Sequence, residues 1–199
     1  MRELHLPGGL YAIVDSLERA GAAVEGGAAV VQLRMKRAGA MEILSTARAV
    51  AALCKGRAAF IMNDRSDIAR LSGADGVHLG QDDLPVKAAR EIIGPGKLVG
   101  VSTHSDAEID AALAAGADYL GFGPVFATAS KDAALPPPHG LAGLVRAVAR
   151  AGGVPVVAIG GITSETVREV AATGARCAAA IAELARDPLA ARRFAEAFR

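Results

Sequence analysis

A glycine followed by alanine or valine, and then by an apolar run, recurs along this chain. It appears at Gly27-Ala28, Gly73-Ala74, Gly116-Ala117, Gly153-Val154 and Gly174-Ala175. The spacing is roughly 40 residues at first and roughly 20 at the end, the mark of repeated strand–helix units with alternate units less visibly signalled. A glycine at such a point suits the end of a helix, because it takes the left-handed conformation that turns the chain into the next strand.

Filling in the units predicts eight strands, near Leu10–Val14, Ala29–Leu33, Ala58–Met62, Gly76–Leu79, Leu98–Val101, Tyr119–Phe122, Val156–Ile159 and Cys177–Ile181, each followed by a helical pattern. The strands are apolar along most of their length, as expected when both faces are covered. Asp15-x-x-Glu18 and Ser105-x-x-Glu108 have the spacing of capping boxes and open two of the helices. Strict alternation of strand and helix argues for one α/β domain. Eight units in 199 residues suit a compact (β/α)8 (TIM) barrel spanning residues 1–199 better than a doubly wound sheet.

Composition narrows the function classes. Hydrophobic residues make up 52% and aromatic residues only 4%, so Ala, Val, Leu and Ile must build the core. A formal net charge of +1 gives no reason to expect nucleic acid or an acidic membrane as partner. Cys54 and Cys177 lie far apart, in a helix and a strand, and read as core thiols of a cytoplasmic protein. The N-terminal Met1–Pro7 stretch lacks the apolar run of a secretion signal. No segment reaches the roughly 18 uninterrupted apolar residues of a membrane span.

In a barrel of this kind function sits at the C-terminal ends of the strands. The segment from Phe60 to Pro85 is the most informative there. Phe60-Ile61-Met62 runs into Asn63-Asp64-Arg65, and Gly76-Val77-His78-Leu79 runs into Gly80-Gln81-Asp82-Asp83. If the two strands are parallel neighbours, about 5 Å apart, Asp64 and Asp83 can share one Mg²⁺, which takes its remaining ligands from phosphate and water. The alternative is that Asn63, Asp64 and Asp83 cap the helices that follow. His78, inside the fourth strand, reads as a hydrogen-bonded core residue rather than a catalyst.

Strand two ends in Gln32-Leu33-Arg34-Met35-Lys36, where alternation places Gln32, Arg34 and Lys36 on one side. Two cations there suit an anion such as pyrophosphate, or else they are ordinary surface charges. Strand five ends in Ser102-Thr103-His104; Ser102 either bonds a ligand oxygen or caps a helix. Strand six leads into Gly123-Pro124-Val125-Phe126-Ala127-Thr128-Ala129-Ser130-Lys131 and then a proline-rich connection, Asp132 to His139, before Gly140 opens the next helix. Connections of that length are often lids or binding loops, and Thr128, Ser130 and Lys131 are donors suited to phosphate. After strand seven, Gly160-Gly161 lets backbone N–H groups face a cleft, and the following helix is expected to add its positive end. Strand eight, at Ile181-Ala182, offers backbone donors only.

Taken together, Gln32-x-Arg34-x-Lys36, Asn63-Asp64-Arg65, His78-Leu79-Gly80-Gln81-x-Asp83, Gly100-Val101-Ser102-Thr103-His104, Gly121-Phe122-Gly123-Pro124-Val125-Phe126-x-Thr128-x-Ser130-Lys131 and Ala158-Ile159-Gly160-Gly161-Ile162 resemble the thiamin phosphate synthase family. The resemblance runs from about Tyr11 to about Leu184. It implies a transferase in which a hydroxymethylpyrimidine diphosphate loses pyrophosphate and the ring nitrogen of a thiazole phosphate takes its place. By resemblance Arg34, Lys36, Asn63 and Lys131 hold the diphosphate, Gln32 contacts the pyrimidine, and Ser102 lies by the leaving group. Asp64 and Asp83 hold Mg²⁺. Thr128, Ser130, Gly140, Gly161, Ile181 and Ala182 face the thiazole phosphate. Ser102, Lys131 and Arg34 are the residues implied to act on the reacting groups. The expected partners are these small molecules, and a homo-oligomer is compatible with the sequence.

Three positions depart from the family pattern. Ser130 stands where threonine is usual, Ala182 where serine is usual, and Arg176-Cys177 where Asp-Gly is usual; the last two bear on the thiazole phosphate pocket. Two other readings stay open on the same barrel. One is a thiazole tautomerase-like isomerase, which would need a catalytic histidine where this chain has Pro124. The other is a sensor that binds thiazole phosphate without turnover.

Overall fold

The computed structural model describes residues 5–128, 136–186 and 189–199. Eight parallel strands close in sequence order into a barrel, β1 pairing with both β2 and β8. The strands are β1 (Gly9–Val14), β2 (Val30–Leu33), β3 (Ala59–Asn63), β4 (Gly76–Leu79), β5 (Leu98–Thr103), β6 (Tyr119–Phe122), β7 (Val156–Ala158) and β8 (Cys177–Ala180). Each matches an expected strand to within two residues at either end. The helices are α1 (Leu17–Glu25), α2 (Ala40–Cys54), α3 (Ser66–Ser72), α4 (Val86–Ile93), α5 (Asp106–Ala114), α6 (Gly140–Arg150), α7 (Val167–Ala172), α8 (Ala182–Arg186) and α9 (Ala190–Ala197).

All five recurring glycines, Gly27, Gly73, Gly116, Gly153 and Gly174, have positive φ. A residue with a Cβ would be strained at each, so the periodic signal in the sequence is the helix-to-strand turn itself. Ser105 caps α5 by accepting from Glu108 N–H. The Glu108 carboxylate, however, bonds the backbone and ring of His104 rather than completing the box. At α1 the expected cap is displaced by one residue: Ser16 accepts from Arg19 N–H, while Asp15 pairs with the Arg19 side chain. A hydroxyl one position later reached the orphan donor, and the carboxylate found a cation four residues on.

The barrel wall separates two cores. Outside it, β-strand side chains such as Val31, Leu33, Phe60, Val77 and Leu120 pack against Ala47, Ala89, Ile109, Leu144 and other helix residues. Inside lie Tyr11, Val30, Ile61, Leu98, Tyr119, Val157, Cys177 and Ala179, with Leu6 buried among them. Small residues on the outer side let the helices sit close; a Cβ on Gly26 would meet the Ala191 methyl of α9 at 2.3 Å. Cys54 and Cys177 are buried free thiols. Burial pushes them up to about 11 and about 12, so neither is a thiolate at neutral pH. Among the described residues no helix is long and apolar enough to cross a membrane.

Candidate active site

Two adjoining cavities open at the C-terminal end of the barrel. One of about 760 Å³ is lined by Gln32, Arg34, Lys36, Asn63, Asp64, Asp83 and Ser102 among others. The second, about 520 Å³, is lined by Ser102, Thr128, Gly160, Gly161, Ile181 and Ala182 among others. Each has the size of a small-molecule site. Ser102, His104, Gly121, Ile159, Ala179 and Ile181 border both, so the cavities meet along this line with Ser102 part of it.

The acidic pair does meet, and the helix-capping alternative fails. Neither α3 nor α4 has a side-chain cap; their N-cap positions are taken by Arg65 and Pro85. Asp64 directly follows β3 at a φ of 61°, an uncommon conformation for a residue with a side chain. Its N–H donates to His78 O across the strand pair. Asp83 lies four residues beyond β4, so the two carboxylates are not in equivalent positions after their strands. A turn brings Asp83 back: its Oδ2 accepts from Gly80 N–H at 2.6 Å. Burial, a hydrogen bond with Asp83 and repulsion from its charge together raise Asp64 from 3.8 to about 6. Lys36, with Nζ 3.8 Å from Asp64 Oδ2, offsets this only in part. A half-buried pair of carboxylates that resist ionising together is a place for a cation. Among the described residues there is no cluster of three or more His, Cys, Asp or Glu side chains suited to a metal. A cation here would therefore have two protein carboxylates and rely on ligand oxygens and water.

Gln32 is 2% exposed at the floor of the larger cavity. Arg34 N–H donates to Val14 O, extending the β1–β2 ladder by one residue and holding the Arg34 stem at the mouth. Asn63, also buried, lines the same cavity. His78 is hydrogen-bonded at both ring nitrogens, as expected, but it also lines the larger cavity.

The glycine pair after β7 has a second reason to exist. At φ values of 102° and 63°, Gly160 and Gly161 turn beneath the loop that follows β6. A Cβ on Gly161 would stand 2.4 Å from Ala127 O, and one on Gly160 2.7 Å from Pro124 Cα. The two loops are laced together by Val125 N–H to Ile159 O and Phe126 N–H to Gly160 O, both 2.9 Å. The expected helix end does not stand at Gly161: α7 starts only at Val167. It is α8 that begins at the cavity wall, at Ala182.

Gly140 opens α6 as expected, but its N–H donates to Val125 O and it lines neither cavity. Ser130 and Lys131 lie outside the described residues, as does the connection as far as residue 135. Arg176 and Cys177 line neither cavity. They sit at the opposite end of the barrel, where Arg176 Nε donates to Leu6 O and Cys177 Sγ bonds Pro7 O.

Several contacts here were not legible in the sequence. Glu183 borders the smaller cavity and accepts from both the N–H and the hydroxyl of Ser164, tying the loop after β7 to α8. Gln81 donates to Ser102 O, joining the loops after β4 and β5. Tyr11 and Tyr119, apolar strand residues in the sequence, are hydrogen-bonded to each other inside the barrel.

A closed (β/α)8 barrel carries paired carboxylates, two cations and a glycine-built pocket at one mouth, the end where enzymes of this fold hold their active sites. Comparison with known proteins makes that specific. Residues 10–184 match the family described as Thiamine monophosphate synthase, and the chain belongs to it. It is 54% identical over 190 residues to the thiamine-phosphate synthase of Anaeromyxobacter dehalogenans, covering 92% of this chain and 84% of that protein. It is 44% identical to the Myxococcus xanthus thiamine-phosphate synthase, covering 98% and 94%. The solved thiamine phosphate pyrophosphorylase of Pyrococcus furiosus superposes with a TM-score of 0.86 at 35% identity, covering 96% and 95%.

Proposed function

We propose that this chain is an enzyme condensing 4-amino-5-hydroxymethyl-2-methylpyrimidine diphosphate with thiazole phosphate to give thiamin phosphate and pyrophosphate. The observation that carries this reading is the meeting of Asp64 with Asp83 beside Lys36 in the larger cavity, adjoining a separate pocket built from Gly160 and Gly161. One cavity suits a diphosphate with its counter-ion and the other a monophosphate.

The bond to the departing oxygen breaks with both electrons leaving on pyrophosphate, and the thiazole nitrogen lone pair forms the new C–N bond. No nucleophilic side chain or general base is required, and Pro124 offers none. Arg34, Lys36 and Asn63 bind the diphosphate, joined by Lys131, and neutralise the charge that grows on it. Asp64 and Asp83 fit a Mg²⁺ ion: they are two hard oxygen donors whose mutual repulsion a divalent cation relieves. When bound, Mg²⁺ supplies Lewis-acid stabilisation of the leaving anion. Gln32 holds the pyrimidine ring, and Ser102 stands where the two substrates meet. Thr128 and Ser130, with the backbone at Gly161, Ile181 and Ala182, bind the thiazole phosphate. The usual serine hydroxyl is missing at Ala182, but its backbone N–H remains. Gly140 acts indirectly, by anchoring α6 to the loop after β6. Two buried free thiols suit the reducing cytoplasm.

The test is to incubate the purified protein with both substrates, with and without Mg²⁺, and measure thiamin phosphate and pyrophosphate. Equimolar release of both, dependent on Mg²⁺, is the expected result. Binding of thiazole phosphate with no product at any Mg²⁺ concentration would overturn the enzymatic reading.

A further inference from the structure

A continuous chain of polar side chains crosses the barrel interior beneath the cavities. Gln32 Nε2 donates to Tyr11 Oη at 2.8 Å, and Tyr11 Oη lies 2.9 Å from Tyr119 Oη. Tyr119 Oη is 3.0 Å from His78 Nδ1, and His78 Nε2 is 2.9 Å from Ser102 Oγ. The five residues come from β2, β1, β6, β4 and β5 in turn, so only barrel closure assembles them.

Small residues clear the path. Gly100 pairs in register with both His78 and Tyr119. A Cβ on Gly100 would stand 2.0 Å from the Tyr119 ring, and one on Gly121 3.0 Å from His78 Cε1. With that space open, the His78 and Tyr119 rings stack with centroids 5.4 Å apart and planes 29° apart.

The chain has a direction. Burial raises both phenols above their ordinary range, so each keeps its single proton at neutral pH. An amide nitrogen only donates, so with Gln32 Nε2 facing Tyr11 the Tyr11 oxygen accepts; Tyr119 Oη is the other side-chain oxygen within reach of Tyr11 among the described residues, so the buried Tyr11 proton goes there. Tyr119 then donates to His78 Nδ1. A neutral imidazole has one N–H, which must be on Nε2 and donate to Ser102 Oγ. The Ser102 hydrogen is thereby turned away from His78, at a residue bordering both cavities.

We propose that Tyr11, Tyr119 and His78 are positioning residues that lock His78 in its Nε2–H form and so present the Ser102 hydroxyl as a hydrogen-bond donor to the ligand at the junction of the two cavities. No proton is transferred along the chain; it sets orientation only. The identity of that ligand rests on the function proposed above, whereas the tautomer does not.

The experiment has two arms. In ligand-free protein labelled with ¹⁵N-histidine at pH 8, two-bond ¹H–¹⁵N correlations report the His78 tautomer. The expected result is Nε2–H in the parent and a mixture of tautomers in Tyr119→Phe, which keeps the ring and removes the donor. An Nδ1–H signal in the parent overturns the proposal whether or not the protein turns over substrate. In the second arm, Tyr119→Phe lowers kcat roughly tenfold, a hydrogen bond's worth, with KM for both substrates within about twofold. In a Ser102→Ala background the same substitution has no further effect. Full additivity of the two losses would mean that Tyr119 does not act through Ser102. Melting curves of each variant guard against misfolding, and Tyr11→Phe replaces Tyr119→Phe if the latter fails to fold. Absence of thiamin phosphate synthesis by the parent, with Nε2–H observed, would count against the function proposed above and leave the tautomer standing.

Discussion

Replacing Asp64 with asparagine should make the protein more stable while removing its response to Mg²⁺. Asp64 is 27% exposed and raised from 3.8 to about 6 by burial and by Asp83. Between those two values the native state holds a proton that the unfolded chain has lost. Stability therefore falls as pH rises through that window, and the native protein bears the full charge penalty above it. An acid displaced this far carries up to about 3 kcal/mol at pH 8, and about half of that at pH 5. Screening through the exposed face lowers the first figure to about 1–3 kcal/mol. Asparagine keeps the shape and lacks the charge, so Asp64→Asn should melt roughly 2–12 °C above the parent at pH 8, with the gain shrinking at pH 5. Differential scanning calorimetry at both pH values, with and without millimolar Mg²⁺, checks this. Mg²⁺ should raise the melting temperature of the parent by mass action and leave that of the variant unchanged. An unchanged or lowered melting point in the Mg²⁺-free variant at pH 8 would refute the reasoning, because the two carboxylates would not then be a repulsive pair. An equal Mg²⁺ response in both proteins would remove Asp64 from the metal site.

Three further outcomes are expected. Asp83→Ala should lower Mg²⁺-dependent turnover by roughly a hundredfold or more with an unchanged circular dichroism spectrum; full activity would exclude Asp83 as a ligand. Gly161→Ala forces a Cβ to within 2.4 Å of Ala127 O at a φ of 63°. It should destabilise the protein by about 2 kcal/mol or more and raise KM for thiazole phosphate more than for the pyrimidine diphosphate, as steady-state kinetics would show. Ser105→Ala removes the cap of α5 and should reduce stability by about 1 kcal/mol, a shift of roughly 2–4 °C in thermal melts.

The places where expectation and structure part company share a cause. Ser16 displaced Asp15 as the cap of α1 because both were within one residue of the right position, and geometry chose the hydroxyl. The departure from family pattern at Arg176-Cys177 seemed to threaten the phosphate pocket, yet these residues precede and open β8 at the far end of the barrel. Linear proximity to Ile181 hid a separation of one strand's length. Tyr11 and Tyr119 read as core aromatics, which they are, but their hydroxyls are separated by 108 positions in sequence and 2.9 Å in space.

The sequence by itself determined the eight units, their turns and the side of the barrel that carries chemistry. Those are set by glycines of positive φ, apolar runs and strand-end residues, all of which act over a few neighbouring positions. Tertiary structure alone decided that Asp83 folds back to Asp64 through the Gly80 turn, that Gly161 is wedged beneath Ala127, and that five strands join Gln32 to Ser102. Contacts of that kind depend on how strands register around a closed barrel, and register is a property of the whole circuit of hydrogen bonds rather than of any segment within it.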